Sequence, residues 1–300
     1  MNAAALDHGL RGELRLNEPM ARHTTWRVGG PADRFYRPAD RDDLGQFLRS
    51  LPGDEPIYWC GLGSNLLVRD GGLRGSVIFL HPGVADMRLA GEQTIWADAG
   101  APCAKVARFA ARQGLVGAEF LAGIPGTMGG ALAMNAGAFG GETWERVIAV
   151  ETVNRGGVLR QREVAEFRVG YREVDGPDEE WFTGALLGLD PGDGEIGMQR
   201  IRELLARRAE TQPIGKPSCG SVFRNPPADH AARLIEAAGL KGRTLGGAVV
   251  STKHANFILN QGAATAADIE QLAEHVAGCV ERQFGVRLQR EFRVIGEEQA

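Results

Sequence analysis

Apolar residues recur every three to four positions in several stretches of the chain, a spacing typical of helices that pack one face against a core. One such stretch follows Asp40, a residue type favoured at helix N-caps, and ends at Pro52-Gly53. The longest follows Thr265 and is predicted to direct these side chains inward: Ile269, Leu272, Val276, Cys279, Val280 and Phe284. Further helices are predicted from Pro102 to Gly114, over residues 198–210, and over residues 228–238 with Asp229 as the cap.

Short apolar runs between turn-forming residues predict strands. They lie at residues 33–37, 57–60, 77–80, 94–99, 147–153, 157–162, 181–189, 247–250, 257–259 and 286–295. Residues 1–20 show neither pattern and are expected to be loosely structured. The strongest boundary signal is the turn-forming run from Pro191 to Gly194. We therefore expect an α+β protein with a strand-rich domain over residues 22–190 and a smaller αβ domain over residues 191–300, although the two halves need not be separated in space as they are in sequence.

Composition is that of an ordinary soluble protein, with 43% hydrophobic and 24% charged residues. The net charge of −4 gives no electrostatic reason to expect a nucleic-acid partner. No apolar stretch has the length of a membrane span, and the first residues lack the apolar core of a signal peptide. The cysteines Cys60, Cys103, Cys219 and Cys279 show neither metal-ligand nor disulfide spacing. The expectation is a cytoplasmic monomer that binds no metal, nucleic acid or membrane.

Glycine is concentrated between Glu119 and Gly141, a segment that contains seven glycines. Glycine lets another molecule approach the main chain closely, and clustered backbone N–H groups bind anions. A smaller glycine-rich loop, Gly61 to Asn65, follows the predicted strand at residues 57–60. Two such loops suit a long ligand with a central diphosphate better than a free phosphate. Neither matches a P-loop or a dinucleotide fingerprint. The alternative is that the glycines only form tight turns, and their density in the first segment favours ligand binding.

Three polar segments are candidates for chemistry. Tyr171-Arg172 is either a surface turn or an anion clamp, because a guanidinium binds a carboxylate through two hydrogen bonds. The segment from Lys216 to Pro226 holds Ser221 between two basic residues, so it is either a loop that caps the next helix or a site where a hydroxyl donates a proton. Nothing near Ser221 resembles a serine-nucleophile motif. Glu291 lies in the last predicted strand, where most charged side chains simply face water.

Taken together and in order, the motifs resemble the UDP-N-acetylenolpyruvoylglucosamine reductase family. The resemblance runs from about Arg22 to Gly296, and its most specific stretches are AGIPGTMGGALAMNAGAFG at residues 122–140 and GSVFRNP at residues 220–226. The other matching segments are residues 23–33, 61–67, 171–172, 253–260, Glu291 and 293–296. The chain has no long insertion after Arg172 of the kind that carries a tyrosine lid in one branch of the family.

This resemblance implies an FAD-binding domain of the vanillyl-alcohol oxidase-like (PCMH-type) class, followed by a smaller αβ substrate domain. It implies non-covalent FAD, NADPH as hydride donor, and UDP-N-acetylglucosamine-enolpyruvate as the substrate that is reduced to UDP-N-acetylmuramate for peptidoglycan synthesis. By the same resemblance, Arg172 and Glu291 polarise the enolpyruvyl carboxylate, and Ser221 protonates the carbon beside it. Two alternatives stay open: an FAD-dependent sugar or alcohol oxidase, and a non-enzymatic nucleotide-binding module.

The resemblance also assigns binding residues. Those predicted to hold the cofactor are Gly61, Leu62, Gly63, Ser64, Asn65, Leu66, Gly123, Ile124, Pro125, Gly126, Thr127, Gly129, Gly130, Asn135, Gly137, Ala138 and Gly140. Those predicted to bind substrate are Tyr171, Lys216, Arg224, Asn225, His254 and Asn256.

Overall fold

A computed structural model describes residues 9–299 of the chain. Its secondary structure is the predicted mixture of helices and strands. The helices are α1 (Arg41–Ser50), α2 (Cys103–Arg112), α3 (Met128–Ala133), α4 (Gly194–Thr211), α5 (Ala231–Ala237) and α6 (Ala266–Phe284). The strands up to residue 116 are β1 (Glu13–Pro19), β2 (Pro31–Arg37), β3 (Ile57–Cys60), β4 (Leu66–Val68), β5 (Leu73–Phe79), β6 (Met87–Gly91), β7 (Thr94–Asp98) and β8 (Leu115–Val116).

The remaining strands fall into two groups along the chain. The first is β9 (Gly137–Ala138), β10 (Gly141–Glu142), β11 (Val147–Asn154), β12 (Leu159–Glu163), β13 (Arg168–Gly170), β14 (Glu173–Asp175), β15 (Glu180–Gly188) and β16 (Asp190–Pro191). The second is β17 (Thr244–Leu245), β18 (Ala248–Val250), β19 (Ile258–Asn260) and β20 (Arg293–Ile295).

The chain divides into two compact units. Unit 1 contains residues 9–15, Arg34–Gly61 and Ser76–Ala206, whereas unit 2 contains Leu16–Asp33, Leu62–Gly75 and residues 207–299. These bounds differ from the two consecutive domains expected over residues 22–190 and 191–300, because two early segments belong to unit 2 and unit 1 continues to Ala206. The assignment of the chain before residue 191 to the cofactor, and of the rest to the substrate, stays a prediction.

Unit 1 is built on a five-stranded antiparallel sheet with the order β12-β11-β15-β7-β6. Helix α2 packs its apolar face, including Val106 and Ala110, into the same core as Ile95 and Ala185 of that sheet. A smaller core forms around α1, where the rings of Tyr36 and Phe47 stack with centroids 3.9 Å apart. The predicted cap of α1 is confirmed, since the Asp40 carboxylate accepts the Asp43 N–H at 2.9 Å.

Unit 2 is organised around α6 and the antiparallel sheet β17-β18-β19. The Thr265 hydroxyl accepts the Asp268 N–H, as predicted, and Gly285 ends the helix in the left-handed conformation with φ 69°. Ile269, Leu272 and Val280 are buried in the core. The prediction that Phe284 points inward is wrong, because its side chain in the last helical turn is 40% exposed.

Three other local predictions need correction. Residues 13–19 form β1 rather than loose structure, whereas residues 1–8 of that predicted segment lie outside the described residues. The last strand is only Arg293–Ile295, and it pairs in parallel with β4. Helix α5 begins at Ala231 with His230 at its N-cap, so Asp229 is not the cap. Asp229 instead pairs with Arg233, and the Ala231 N–H is satisfied by the Asn225 side chain at 3.1 Å.

Along the described part of the chain, no helix combines the length and the apolarity needed to cross a membrane. Residues 9–299 also contain no group of three or more His, Cys, Asp or Glu side chains arranged to hold a metal ion.

Candidate active site

The glycine-rich segment 119–141 in unit 1 folds into short elements rather than one open loop. A 3-10 helix, Glu119–Gly123, precedes α3, and β9 and β10 form an antiparallel pair after it. The Gly129 N–H donates to the Ala99 carbonyl at 2.7 Å, and a Cβ on Gly129 would lie 2.9 Å from the Cβ of Ala99. Glycine at position 129 therefore allows the main chain to pack directly against the end of β7.

Within unit 1, Gly61, the first residue of the smaller glycine-rich loop, packs against the segment 119–141. A Cβ on Gly61 would lie 2.5 Å from Oγ1 of Thr127, so a side chain does not fit at this position. At Gly130 and Gly140 the situation is the opposite, because a Cβ would meet no heavy atom within 4 Å. Both glycines are exposed, so their main chain is accessible from outside the segment. The main chain is thus closely packed at Gly61 and Gly129 and open at Gly130 and Gly140. This combination suits a dinucleotide cofactor whose diphosphate contacts the main chain.

Arg172 lies directly against this segment. It occupies the tip of the β13–β14 hairpin in the left-handed region, with φ 58°, which is uncommon for a residue other than glycine. Its guanidinium donates to the carbonyls of Asn135 at 3.3 Å and Gly137 at 3.2 Å, and lies 5.1 Å from the centroid of the Tyr171 ring. The structure thus brings together Arg172, Tyr171 and two of the predicted cofactor-binding residues.

Asn135 connects the hairpin to the glycine-rich segment from the inside. Its side chain is buried and donates to the Gly170 carbonyl at 3.1 Å and to the Glu142 carboxylate at 2.8 Å, and it accepts the Trp144 N–H at 3.1 Å. Asn135 also adopts a positive φ of 42°, a conformation that asparagine tolerates better than most residues. Its amide is therefore used to hold the segment in shape.

In unit 2, Ser221 and Glu291 come from segments that hydrogen-bond to each other. The Glu291 N–H donates to the carbonyl of Val222 at 2.8 Å, and the Arg224 N–H donates to the carbonyl of Gln289 at 2.9 Å. Residues separated by about seventy positions in sequence are thereby placed side by side. Both side chains are partly exposed. The segments that carry the predicted proton donor and the predicted carboxylate therefore lie side by side within unit 2.

Asn256 supports this arrangement from the core. Its side chain is 3% exposed, accepts the Phe223 N–H at 2.9 Å and donates to the Phe223 carbonyl at 2.8 Å. Its own carbonyl accepts the Val222 N–H at 2.9 Å. The amide of Asn256 is thus engaged with the main chain, and the amide oxygen of Asn225 is likewise engaged with α5. Direct contact of these two residues with substrate stays a prediction.

The remaining predicted substrate residues are more open or differently placed. Lys216 is exposed, and Arg224 is partly exposed. The His254 ring lies edge-on to Phe257 with centroids 4.9 Å apart, and its Nδ1 is buried without a hydrogen-bond partner among the described residues. Burial, together with the charge of Lys241, lowers the pKa of His254 below its ordinary value. The neutral imidazole is therefore the favoured form near pH 7.

Two features of unit 2 escaped the sequence analysis although the motifs contain them. Burial and, second, the nearby Glu291 carboxylate raise the pKa of the Cys219 thiol well above its ordinary value. This thiol stays protonated and belongs to the surroundings of Glu291. The segment before β2 also supports the first loop, because Thr25 donates its N–H to the Gly63 carbonyl at 3.1 Å. Trp26 is fully buried beside it and packs edge-on against Phe292 at 5.0 Å.

The first glycine-rich loop also contacts the Glu291 segment inside unit 2. The Asn65 side-chain amide donates to the Glu291 carbonyl at 3.3 Å, and the Asn65 carbonyl accepts the Arg293 N–H at 2.9 Å. Immediately after Asn65, Leu66 begins β4 in register with Arg293. The end of the predicted cofactor loop and the main chain of Glu291 thus adjoin the same hydrogen-bonded strand pair, β4 and β20.

Comparison with known proteins gives matches over nearly the whole chain. Residues 32–161 match the family model described as FAD binding domain, and residues 212–295 match that of the UDP-N-acetylenolpyruvoylglucosamine reductase C-terminal domain. The UDP-N-acetylenolpyruvoylglucosamine reductase of Alkalilimnicola ehrlichii is 63% identical over 96% of this chain and 97% of its own length. The enzyme of the same name from Methylococcus capsulatus is 62% identical over 97% of this chain and 95% of its own.

Solved structures agree with the sequence matches. The UDP-N-acetylenolpyruvylglucosamine reductase of Thermus caldophilus superposes with a TM-score of 0.81 at 35% identity, covering 95% of this chain and 99% of that one. The 6-hydroxy-D-nicotine oxidase of Arthrobacter nicotinovorans shares the fold alone, with a TM-score of 0.56 at 12% identity over 96% of this chain and 89% of that one. The predicted fold class, an α+β chain with an FAD-binding domain of the vanillyl-alcohol oxidase-like class and a smaller αβ domain, is confirmed.

Proposed function

The chain belongs to the UDP-N-acetylenolpyruvoylglucosamine reductase family, and from this membership we propose which of its residues carry out the reaction. The activity is the NADPH-dependent reduction of the enolpyruvyl ether of UDP-N-acetylglucosamine-enolpyruvate to UDP-N-acetylmuramate, a step of peptidoglycan precursor synthesis. FAD supplies the hydride transfer between NADPH and the methylene carbon of the enolpyruvyl group.

Arg172 is proposed to bind the enolpyruvyl carboxylate. Addition of hydride to the methylene carbon leaves negative charge on the adjacent carbon and its carboxylate, and a fixed cation is most useful where charge develops. The two hydrogen bonds from Arg172 to the Asn135 and Gly137 carbonyls support this role, because they fix the guanidinium before substrate arrives. That Arg172 and the residues of unit 2 act on one substrate is part of the proposal.

Ser221 is proposed to protonate the carbon next to the carboxylate. The double bond then gains a hydride at one carbon and a proton from the Ser221 hydroxyl at the other, which completes the reduction. The observation that carries this proposal is the Glu291–Val222 main-chain hydrogen bond, which places the carboxyl-bearing segment beside the serine. Nothing in the surrounding motif favours a nucleophilic serine instead.

Glu291 is proposed to donate a hydrogen bond to the developing enolate. A second carboxylate near the substrate carboxylate would repel it unless Glu291 is protonated or a neighbouring cation offsets its charge. Like charges that share a site raise the pKa of one of them, which suits a neutral donor.

The nucleotide part of the substrate is proposed to contact Tyr171, Lys216, Arg224, Asn225, His254 and Asn256. Lys216 and Arg224 suit the diphosphate by their charge. Asn225 and Asn256 take part through the main-chain segments that their amides hold. We also propose a cytoplasmic monomer with no nucleic-acid partner, and the net charge of −4 supports the last of these points.

The experiment that tests the function follows the flavin absorbance of the purified holoenzyme without oxygen. NADPH should bleach the flavin band, and the enolpyruvyl nucleotide should restore it with formation of one UDP-N-acetylmuramate per flavin. Sugars and alcohols should not bleach the band, which separates this activity from that of an oxidase. An unbleached flavin with NADPH, or a bleached flavin that the nucleotide does not restore, would contradict the proposed function.

A further inference from the structure

Asn65 is positioned to act on Glu291 rather than only on a cofactor. Its side-chain N–H donates to the Glu291 carbonyl at 3.3 Å, and its main-chain carbonyl accepts the Arg293 N–H at 2.9 Å. One residue of the glycine-rich loop therefore holds the main chain at two points, the Glu291 carbonyl and the Arg293 N–H. Substitution of Asn65 removes only the side-chain hydrogen bond, because the main-chain hydrogen bond remains as long as the strand pair is intact.

The other side of Glu291 is held as well. Its N–H donates to the Val222 carbonyl at 2.8 Å, and the Val222 N–H donates to the carbonyl of the buried Asn256 at 2.9 Å. The Asn256 side chain adds two bonds to Phe223, so the segment after Ser221 is firmly fixed to the core of unit 2. The Glu291 N–H is thus held by this fixed segment, and the Asn65 side chain holds the Glu291 carbonyl.

From this arrangement we infer that Asn65 is a positioning residue. Its carboxamide holds the main chain of Glu291 and thereby keeps Glu291 in place beside Ser221. The inference rests on the proposed role of Glu291 and deepens it. It also changes the assignment of Asn65, because the carboxamide serves the substrate-reducing half of the reaction rather than the retention of FAD. Catalytic groups displaced by about 1 Å can lose about 10²-fold in rate, which sets the scale of the effect.

The test compares Asn65→Ala and Asn65→Asp with Glu291→Ala and with the double variant of Asn65→Ala and Glu291→Ala. The Asp variant keeps the size but replaces the donor with an acceptor facing the Glu291 carbonyl. Three quantities are measured for each variant. FAD affinity is measured with the apoprotein. The rate of flavin bleaching by NADPH and the single-turnover rate of flavin reoxidation by the nucleotide are measured with the holoenzyme. Asn154→Ala is the matched control, because the Asn154 side chain accepts the Val158 N–H at 3.0 Å in a turn of unit 1.

Both Asn65 variants should keep FAD affinity and NADPH-driven bleaching, and should slow reoxidation by the nucleotide about 10- to 100-fold. The double variant should be no slower than Glu291→Ala, since residues that act through one another do not add. Asn154→Ala should match wild type in all three quantities.

Reduced FAD affinity would make Asn65 a cofactor contact and overturn the inference. If Glu291→Ala slows reoxidation and the double variant slows it by the product of the two single effects, the inference about Asn65 is overturned. The proposed role of Glu291 would then still stand. Wild-type reoxidation in Glu291→Ala would overturn both. If Asn65→Ala unfolds, Asn65→Asp gives the same comparison at unchanged side-chain volume.

Discussion

Among single residues, Ser221 is the one whose proposed role is confined to one half-reaction, the reduction of the nucleotide. Protonation is needed only when the nucleotide is reduced, so Ser221→Ala should leave NADPH-driven bleaching of the flavin nearly intact. Reoxidation by the nucleotide should slow by about 10²–10⁴-fold, the usual contribution of a general acid. Stopped-flow absorbance measures both half-reactions.

Ser218 provides the matched control for this substitution. It lies in the same loop, and its hydroxyl donates to the Lys216 carbonyl at 3.4 Å. Ser218→Ala should therefore change neither half-reaction. Equal slowing of both half-reactions in Ser221→Ala would assign Ser221 a structural role, and unchanged turnover would mean that another group donates the proton.

Sequence could identify the chemical types in this site but not the partners of each group. The carboxamides of Asn65, Asn225 and Asn256 have the same capacity for hydrogen bonds wherever they lie. The partner of Asn256 is 33 positions away and that of Asn65 is 226 positions away, so only the fold reveals that both groups are engaged. Residue chemistry alone made Arg172 and Ser221 candidates, whereas Glu291 was predicted only through the family resemblance and would otherwise have been left among ordinary surface residues.

At the scale of elements, the N-terminus of α6 shows what local sequence does and does not specify. Thr265 was predicted as the cap because it precedes the apolar helical pattern. The Asp70 carboxylate is a second cap, accepting the Ala266 N–H at 2.9 Å and the Ala267 N–H at 3.0 Å. No local pattern could have indicated Asp70, since it is 196 positions from Ala266. At α5 the acceptor is close in sequence but still outside the helix, since Asn225, six positions before Ala231, satisfies its N–H.

The two caps of α6 lead to a prediction about stability. Thr265→Ala and Asp70→Ala should each lower the free energy of unfolding by about 1 kcal/mol, because each leaves helix N–H groups without an acceptor. The measurement is the urea midpoint at constant m-value, with both half-reactions of the enzyme followed in parallel. Asp54→Ala, at an exposed position, is the control and should leave the midpoint unchanged. No loss in Asp70→Ala would mean that the Asp70 contacts contribute nothing net to folding.

At the scale of the whole molecule, the order of elements was largely predictable and the grouping of elements into units was not. Helices α1, α2, α4 and α6 and strands β3, β7, β11 and β15 follow the apolar periodicity closely. Periodicity reports which face of an element is buried but not which core buries it. The chain passes between the two units five times, so segments such as Leu62–Gly75 belong to unit 2 although their neighbours in sequence belong to unit 1.

FAD is expected to be held without a covalent bond and to stabilise the folded chain. Covalent flavin attachment needs a nucleophilic side chain such as His or Cys, and neither Gly61–Leu66 nor residues 119–141 contain one. Acid or heat denaturation should therefore release all the flavin into the supernatant. FAD is expected to bind main-chain groups that are brought together only in the folded chain. The apoprotein should therefore melt at a lower temperature than the holoenzyme. At a free FAD concentration of about 100 times its Kd, mass action stabilises the folded state by about 2.7 kcal/mol.

Differential scanning calorimetry of apoprotein titrated with FAD measures this effect, with riboflavin as the control that lacks the diphosphate. The melting temperature should rise with the logarithm of the FAD concentration and should respond only weakly to riboflavin, since the glycine-rich main chain is the proposed partner of the diphosphate. An equal response to both ligands would locate the binding energy in the ring system and would contradict the proposed diphosphate site. Flavin that precipitates with the chain would contradict non-covalent binding.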